Sequence, residues 1–331
     1  MFSASSNESR HCVRLLQVCI AKIDALINKQ LNSILHHPRL QRLEAAWRGL
    51  HHVCHAAQKQ SQVQVRLLSV SWLEICRDAE RALEFDQSAL FKLIYSEEFD
   101  RPGGTPFGAL IGDYSVDHSH RHLQALQLLA QIGAAAFCPV VLNASPQLFG
   151  LETFAKLTQR LDLSALFLHP EYTAWRQLRQ REDARFLMLT LPYTSMRIPY
   201  ASEITRLGGL HFREEVSRIE HVCWGHASFA FACVLIREFG QTHWFSHLRG
   251  APKECYGGGV VTYLPNLNLH SSSPFPPRPS TDIIISDANE RRLAEQGLAA
   301  LCHLHNTDLC AFFSVPSLYA HKQAVNDHLA A

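Results

Sequence analysis

No apolar run in the sequence approaches the roughly 18 residues that a membrane-spanning helix needs. Residues Met1 to Arg10 are polar and lack the apolar segment of a secretory signal. Neither sign of charge is in excess: 31 Lys and Arg face 30 Asp and Glu, for a net charge of +1. That balance argues against a dominant nucleic-acid footprint, which needs a clustered basic excess. The basic runs are short, as from Arg176 to Arg181, where Glu182 and Asp183 follow. Charged residues make up only 18% of the chain, which leaves room for surface covered by partners. The ten cysteines are scattered singly with no CxxC pair, so reduced and mostly buried thiols in a cytoplasmic chain are expected. No internal repeat occurs.

The signatures of common active sites are also missing. There is no GxSxG elbow for a hydrolase. The triple glycine Gly257, Gly258 and Gly259 is followed by no Lys-Ser or Lys-Thr and opens no helix, so it reads as a tight turn and not a phosphate cradle. Histidine is abundant, at 20 residues, so chance clusters are expected. His51, Cys54 and His55 have a spacing that could bind zinc on a helix, but no HExxH signature or carboxylate joins them. His118, His120 and His122 read as a solvated loop. Cys302, His303, His305 and Cys310 form the best-looking ligand group, yet on a strand only His303 and His305 share a face. Adjacent acids such as Glu97 and Glu98, or Glu214 and Glu215, read as solvated. Arg291 and Arg292 suit contact with a partner or with water. No catalytic, cofactor or metal residue is expected.

What is present is a core-forming α/β pattern, with 47% apolar residues. Val13, Leu16, Ile20, Ile23, Ile27, Leu31 and Ile34 recur at helical spacing over Cys12 to Leu35. Pro38 interrupts, and a second helix from Leu40 places Leu43, Ala46, Trp47 and Leu50 on one face. Two packed helices, or a helix docking on another chain, both fit this pattern. Val63, Val65 and Leu67 alternate as a strand would. Ser71 opens a helix to Leu83, with Glu74 completing a capping box. From Gln87, Leu90, Phe91, Ile94 and Tyr95 form a stripe that Pro102, Gly103, Gly104 and Pro106 end. Phe107 to Ile111 reads as a strand closed by Asp113. A helix over His120 to Ala136 and a strand over Pro139 to Asn143 make a βαβ unit with it, with the right-handed crossover usual for such units. A helix over Ala165 to Trp175 and a strand over Phe186 to Leu191 follow. Ser195 to Glu215 is irregular. Ala227 to Phe239 is a helix buried on several sides. Strands are expected over Val260 to Tyr263, Asp282 to Ser286, Ala299 to His303 and Leu309 to Phe313, and a helix over Asn289 to Gln296. Leu264 to Ser280 is a Pro/Ser-rich surface loop.

Several long phrases, in one order, carry a resemblance. They are HHPRLQRLEAAWRGL from His36, EFDQSALFKLIYSEEFDRPGGTPFGALIGDY from Glu84 and SPQLFGLETF from Ser145. After them come EYTAWRQLRQREDARFLMLTLP from Glu171, CWGHASFAFA from Cys223 and TDIIISDANERRLAEQGLAAL from Thr281. Together they resemble the large subunit of the type VI secretion contractile sheath (the TssC or VipB family), from about residue 21 to about residue 316. The resemblance implies a mixed α/β (α+β) sheath-subunit core with N-terminal helices: a helical segment at 1–58, the core at 59–316 and a tail at 317–331.

The family's large subunit is a mechanical element without enzymatic activity. The resemblance therefore implies a cytoplasmic bacterial protein that pairs with a small sheath subunit (TssB or VipA-like). With other copies of itself it would stack around an inner tube protein, which contraction ejects. Family members carry a longer segment before position 23, with a short helix recognised by the recycling AAA+ ATPase. They also continue well past the segment matching Phe312, Phe313 and Ser314, into a strand that joins neighbouring subunits. This chain is expected to lack both regions, so recognition by the ATPase is left open. A truncated regulatory or capping paralogue, or a degenerate remnant, is the alternative to a lattice-forming subunit. If the helix faces are as described, Trp47→Ala and Phe91→Ala each cost about 3–5 kcal/mol in denaturant melts.

Overall fold

The computed structural model describes residues 2–157, 162–200, 206–207, 210–252, 257–262, 264–265, 280–304, 307 and 309–320. Two long helices come first, α1 (Phe2–Leu35) and α2 (Pro38–Gln58). Pro38 occupies the first turn of α2, where its missing N–H costs nothing, and the His37 ring accepts the Arg39 N–H at 3.2 Å. The expected capping box forms at α3 (Trp72–Arg81): Ser71 and Glu74 exchange side-chain and backbone hydrogen bonds. A short helix α4 (Ala89–Phe91) runs on into a π-turn over Lys92–Ser96. Its first amides, of Ala89 and Leu90, donate to the Asp78 carboxylate at 3.0 and 3.1 Å, tying α4 to the end of α3.

The centre is a sheet of six strands among the described residues: β1 (Leu110–Val116), β2 (Val140–Ala144), β3 (Leu187–Leu191), β4 (Val260–Val261), β5 (Leu298–His303) and β6 (Cys310–Phe312). Their spatial order is β1-β2-β3-β5-β6-β4, parallel from β1 to β5 and antiparallel beyond. The helix α5 (His120–Ala135) connects parallel strands β1 and β2, as the βαβ pattern requires. β2 and β3 are buried along their whole length, which is why they read as continuous apolar runs.

Helices cover both faces. On one face α5 packs with α3 and α7 (Thr173–Gln180), and α9 (Asp287–Glu295) packs on β5, in one core that includes Leu126, Ile132, Trp175 and Leu293. On the other, α8 (Ala227–Thr242) presses Ala230, Phe231 and Val234 onto Val141, Met188 and Leu301. The opposite side of α8 meets α2 through Phe229, Ala232 and Ile236 against Ala45, Val53 and Ala56. α8 is therefore buried on several sides, as its composition predicts. Gly49 sits where any β-carbon would overlap the Phe229 ring, so α2 can approach this closely only with glycine there.

The structure corrects several expectations. The helix predicted over Ala165 to Trp175 is two helices, α6 (Leu163–Leu168) and α7, because Pro170 cannot continue the first. The first strand starts at Leu110, not Phe107, and runs through Asp113 to Val116; its outer edge tolerates polar residues that an apolar count discards. Val63 to Leu67 forms no strand, and Leu67 is 67% exposed. Asp282 to Ser286 forms no strand either. Ile283 and Ile285 are buried and Ile284 is exposed, but the alternation belongs to an extended segment joined to the fold by a bridge at Thr281–Thr194. Arg206–Leu207 and Leu210–His211 pair as a small hairpin within the segment predicted to be irregular. The proposed loop Leu264 to Ser280 lies mostly outside the described residues, as does Tyr263.

The largest correction concerns α2. Leu43 is 56% exposed and Trp47 60% exposed, whereas Ala45, Gly49, Val53, Ala56 and Ala57 face inward. Small residues were outweighed in the sequence pattern by large ones, yet close helix packing selects the small ones. Phe91 is buried, stacked on Tyr95 at 4.8 Å and edge-on to Phe85 at 5.4 Å. In urea melts Phe91→Ala is expected to cost about 3–5 kcal/mol, while Trp47→Ala costs below about 1 kcal/mol. Equal losses for the two would contradict this packing.

Candidate interaction surface

The predicted ligand groups are not assembled into sites. His51 and His55 are exposed on α2 with near-parallel rings 6.4 Å apart, and Cys54 is half-buried. His118 packs on Tyr172 at 4.6 Å and His122 lies edge-on to Trp72 at 5.4 Å beside Asp117; these two are half-buried, so only His120 of the three is solvated. Cys302 lies opposite Ala311 and Cys310 opposite His303. Burial pushes both thiols up to about 12, so they stay protonated and make poor ligands. His305 lies outside the described residues. Among the described residues no group of three or more His, Cys, Asp or Glu could hold a metal ion. Gly258 has φ of 59°, as the turn reading predicts. Arg291 and Arg292 are exposed. Glu98 is not merely solvated: it accepts the Thr105 N–H at 3.1 Å and pairs with Arg66.

Glu214, predicted to be solvated, is buried instead. It anchors a charged network that fixes the elbow between α1 and α2. Arg197 reaches Glu214 through both terminal nitrogens, one at 2.9 Å, and meets Glu44 of α2 at 2.7 Å. Glu44 also takes Arg48 at 2.8 Å, and Arg48 donates to the Tyr200 hydroxyl at 2.9 Å. The Tyr200 N–H donates to Glu214 at 3.0 Å, and the Arg197 guanidinium lies 4.5 Å over the Tyr200 ring. His36, at the elbow, stacks on His221 at 4.0 Å. Burial works to raise the Glu44 carboxyl, but Arg197 and then Arg48 outweigh it and hold the group below its ordinary range. Burial likewise opposes the charge of Arg197, and Glu214 with Glu44 more than compensates, raising its pKa.

Beyond the elbow, α1 leaves the body. Asn32 is its last firm tether: its side chain donates to the Arg213 carbonyl at 3.4 Å and accepts the Glu215 N–H at 3.0 Å. N-terminal to it the helix is amphipathic but uncovered. Val13, Leu16, Ile20 and Ile23 are 51–65% exposed together with Leu15, Val18 and Leu26. With Leu43 and Trp47 of α2 they put a large share of the molecule's exposed apolar side chains on the two N-terminal helices. Exposed apolar surface of that size on one helix is characteristic of surfaces that other chains cover.

A model of the VipB family, described as the EvpB/VC_A0108 tail sheath N-terminal domain, matches residues 17–319. The chain belongs to the VipB tail sheath family. It is also 34% identical over 315 residues to "Type VI secretion system sheath protein TssC1" of Pseudomonas aeruginosa (strain PAO1). That alignment covers 94% of this chain and 62% of the relative, so the chain spans less than two thirds of that protein's length. The mixed α/β sheet with covering helices is the fold that the family resemblance implies. No helix among the described residues is long and apolar enough to cross a membrane.

Two clusters in this sheath-family chain escaped the sequence reading. One is Glu44–Arg197–Glu214, whose members lie far apart in the chain; no local pattern announces them. The other joins Asp113 and Ser115 of β1 to His226, at the start of α8. For the first, Arg197→Met leaves the buried Glu214 without its guanidinium and Glu44 with Arg48 alone, and is expected to cost about 3–5 kcal/mol in urea melts. Because the folded pKa of Glu44 is depressed, its contribution is present above the unfolded value and lost as pH falls through the folded one. Wild-type stability should therefore drop on acidification below about pH 4, and Arg197→Met should flatten that drop. An unchanged pH slope in the variant would contradict the assignment.

Proposed function

We propose that this chain is a structural subunit of a type VI secretion contractile sheath in the bacterial cytoplasm, without enzymatic turnover. It pairs with a small sheath subunit, stacks with further copies around the inner tube protein, and helps to eject that tube by contraction. The observation that carries the reading is the uncovered apolar stripe of α1, held on a rigid body by the Arg197 network. Family membership supplies the class of partner, and the stripe supplies a place for it. Contraction requires bodies that keep their fold while mutual contacts switch between two packed arrangements. A sheet covered on both faces suits that requirement. On this reading the N-terminal segment 1–58 docks through α1 while its α2 packs on the body at 59–316, and 317–331 follow as a tail.

The test is co-expression with the small sheath subunit of the same source, purification through a tag on that subunit, and electron microscopy of the product. Tubes are the expected result. A soluble pair without tubes would favour a capping role, and no co-purification would contradict the proposal. Replacing Leu16, Ile20 and Ile23 by Asp should lower recovery of the pair at least about tenfold, equivalent to about 1.4 kcal/mol. The melt of the chain alone should stay unchanged, since these side chains touch little of the body.

A further inference from the structure

We propose that Ser115 is an activated nucleophile, a site that takes an acyl or phosphonyl group from activated donors, with His226 as its base and Asp113 orienting that base. Nothing in the sheath reading requires this, and it stands or falls independently of assembly.

The geometry is specific in both atoms and order. The Asp113 carboxylate Oδ1 lies 2.6 Å from Nδ1 of His226. The other ring nitrogen, Nε2, lies 2.8 Å from Oγ of Ser115. A carboxylate on Nδ1 favours the tautomer that leaves Nε2 free to accept, and Ser115 is within reach to donate its hydroxyl proton to it. Asp113 and Ser115 lie on β1 in the stretch where its register against β2 shifts between Ile111 and Ser115, and both side chains converge on His226. The start of α8 is tied to the sheet here: Ser228 donates to the Gly112 carbonyl at 3.2 Å, and the Ala227 N–H donates to Asn143 at 3.2 Å. The imidazole is thus placed at the N-cap of a helix buried along most of its length, and its two partners by the sheet. Such a placement loses little orientation when a reagent arrives.

A fourth group completes the cluster. The Tyr193 hydroxyl is 3.4 Å from Ser115 Oγ, and its ring lies 5.8 Å from that of His226. The Tyr193 backbone N–H is held by Asp282 at 3.0 Å. Burial pushes this phenol up, so it remains protonated and acts as a donor beside the nucleophile. The site is open: the side chains of Asp113 and His226 are 37% and 18% exposed, and β1 is an edge strand. An open edge without a deep acyl slot suits small electrophiles, such as short activated esters and fluorophosphonates.

The step balances without any further reactant. Ser115 Oγ attacks the carbonyl carbon or phosphorus while its proton passes to Nε2 of His226. The imidazolium is stabilised by Asp113. The bond to the leaving group breaks, and that group departs with its electron pair and takes the proton from Nε2, leaving an ester on Ser115 and a neutral histidine.

The full-length chain is incubated with a fluorophosphonate reagent, and the labelled peptide is located and timed by mass spectrometry. Labelling on Ser115 is expected, with none at that peptide in Ser115→Ala. His226→Gln and Asp113→Asn should each label about a hundredfold more slowly. Thermal melts show whether each variant is folded; Asp113→Asn keeps the shape of the side chain and serves if His226→Gln does not fold. No label on Ser115, or labelling of the folded base or orienting variants at the wild-type rate, overturns the proposal, because the hydroxyl would then be an ordinary half-buried serine.

Discussion

The contact on which the rest of the structure depends is the double burial of α8. One side of this helix lies on the sheet and the other is covered by α2, and the second contact is possible only because α2 offers Ala45, Gly49, Val53 and Ala56 there. Small residues let the two helix axes approach until the Phe229 ring lies against the backbone at Gly49. Burial of apolar area then stabilises sheet, α8 and α2 as one packed unit. Because α2 is fixed in this way, the elbow that follows from Pro38 is fixed too, and the direction in which α1 leaves the body is set by core packing.

The charged network at the elbow completes that constraint. A buried carboxylate such as Glu214 costs free energy unless a guanidinium answers it, so Arg197 has one workable position. That position joins α2 to the segment leading away from β3. The result is a molecule of two characters: a body with most of its apolar residues packed in three buried clusters, and an arm whose apolar residues are mostly exposed along its length. For a family of sheath proteins this division has a physical use. On the proposed function, the body would keep its shape while the arm makes the contact with another chain.

Much of this was legible in the sequence, for reasons that differ by element. β2, α5 and β3 announced themselves because burial on both faces or along a stripe leaves a strong periodic signal, and the capping box at Ser71 and Glu74 fixed the start of α3. α2 was found as a helix but rotated wrongly, because Leu43 and Trp47 outweigh alanine and glycine in any hydrophobic pattern. The strand at β1 was displaced because its polar residues lie on an edge. Asp113, Ser115 and His226 could not have been grouped from sequence: more than a hundred residues separate the histidine from its partners, and only the packing of α8 on β1 brings them together. The exposed stripe of α1 was legible as a pattern, while the fact that nothing among the described residues covers it needed the fold.

The central claim is that β2, β3 and α8 are packed within this chain, whereas α1 becomes covered only in a complex. Amide hydrogen exchange of the chain alone and of its complex with the small sheath subunit tests this most directly. In the chain alone, β2, β3 and α8 should be strongly protected and residues 11–27 of α1 should exchange fast; in the complex, protection should spread to that part of α1 with little change in the body. Strong protection of residues 11–27 in the chain alone, or no gain there on complex formation, would contradict the account.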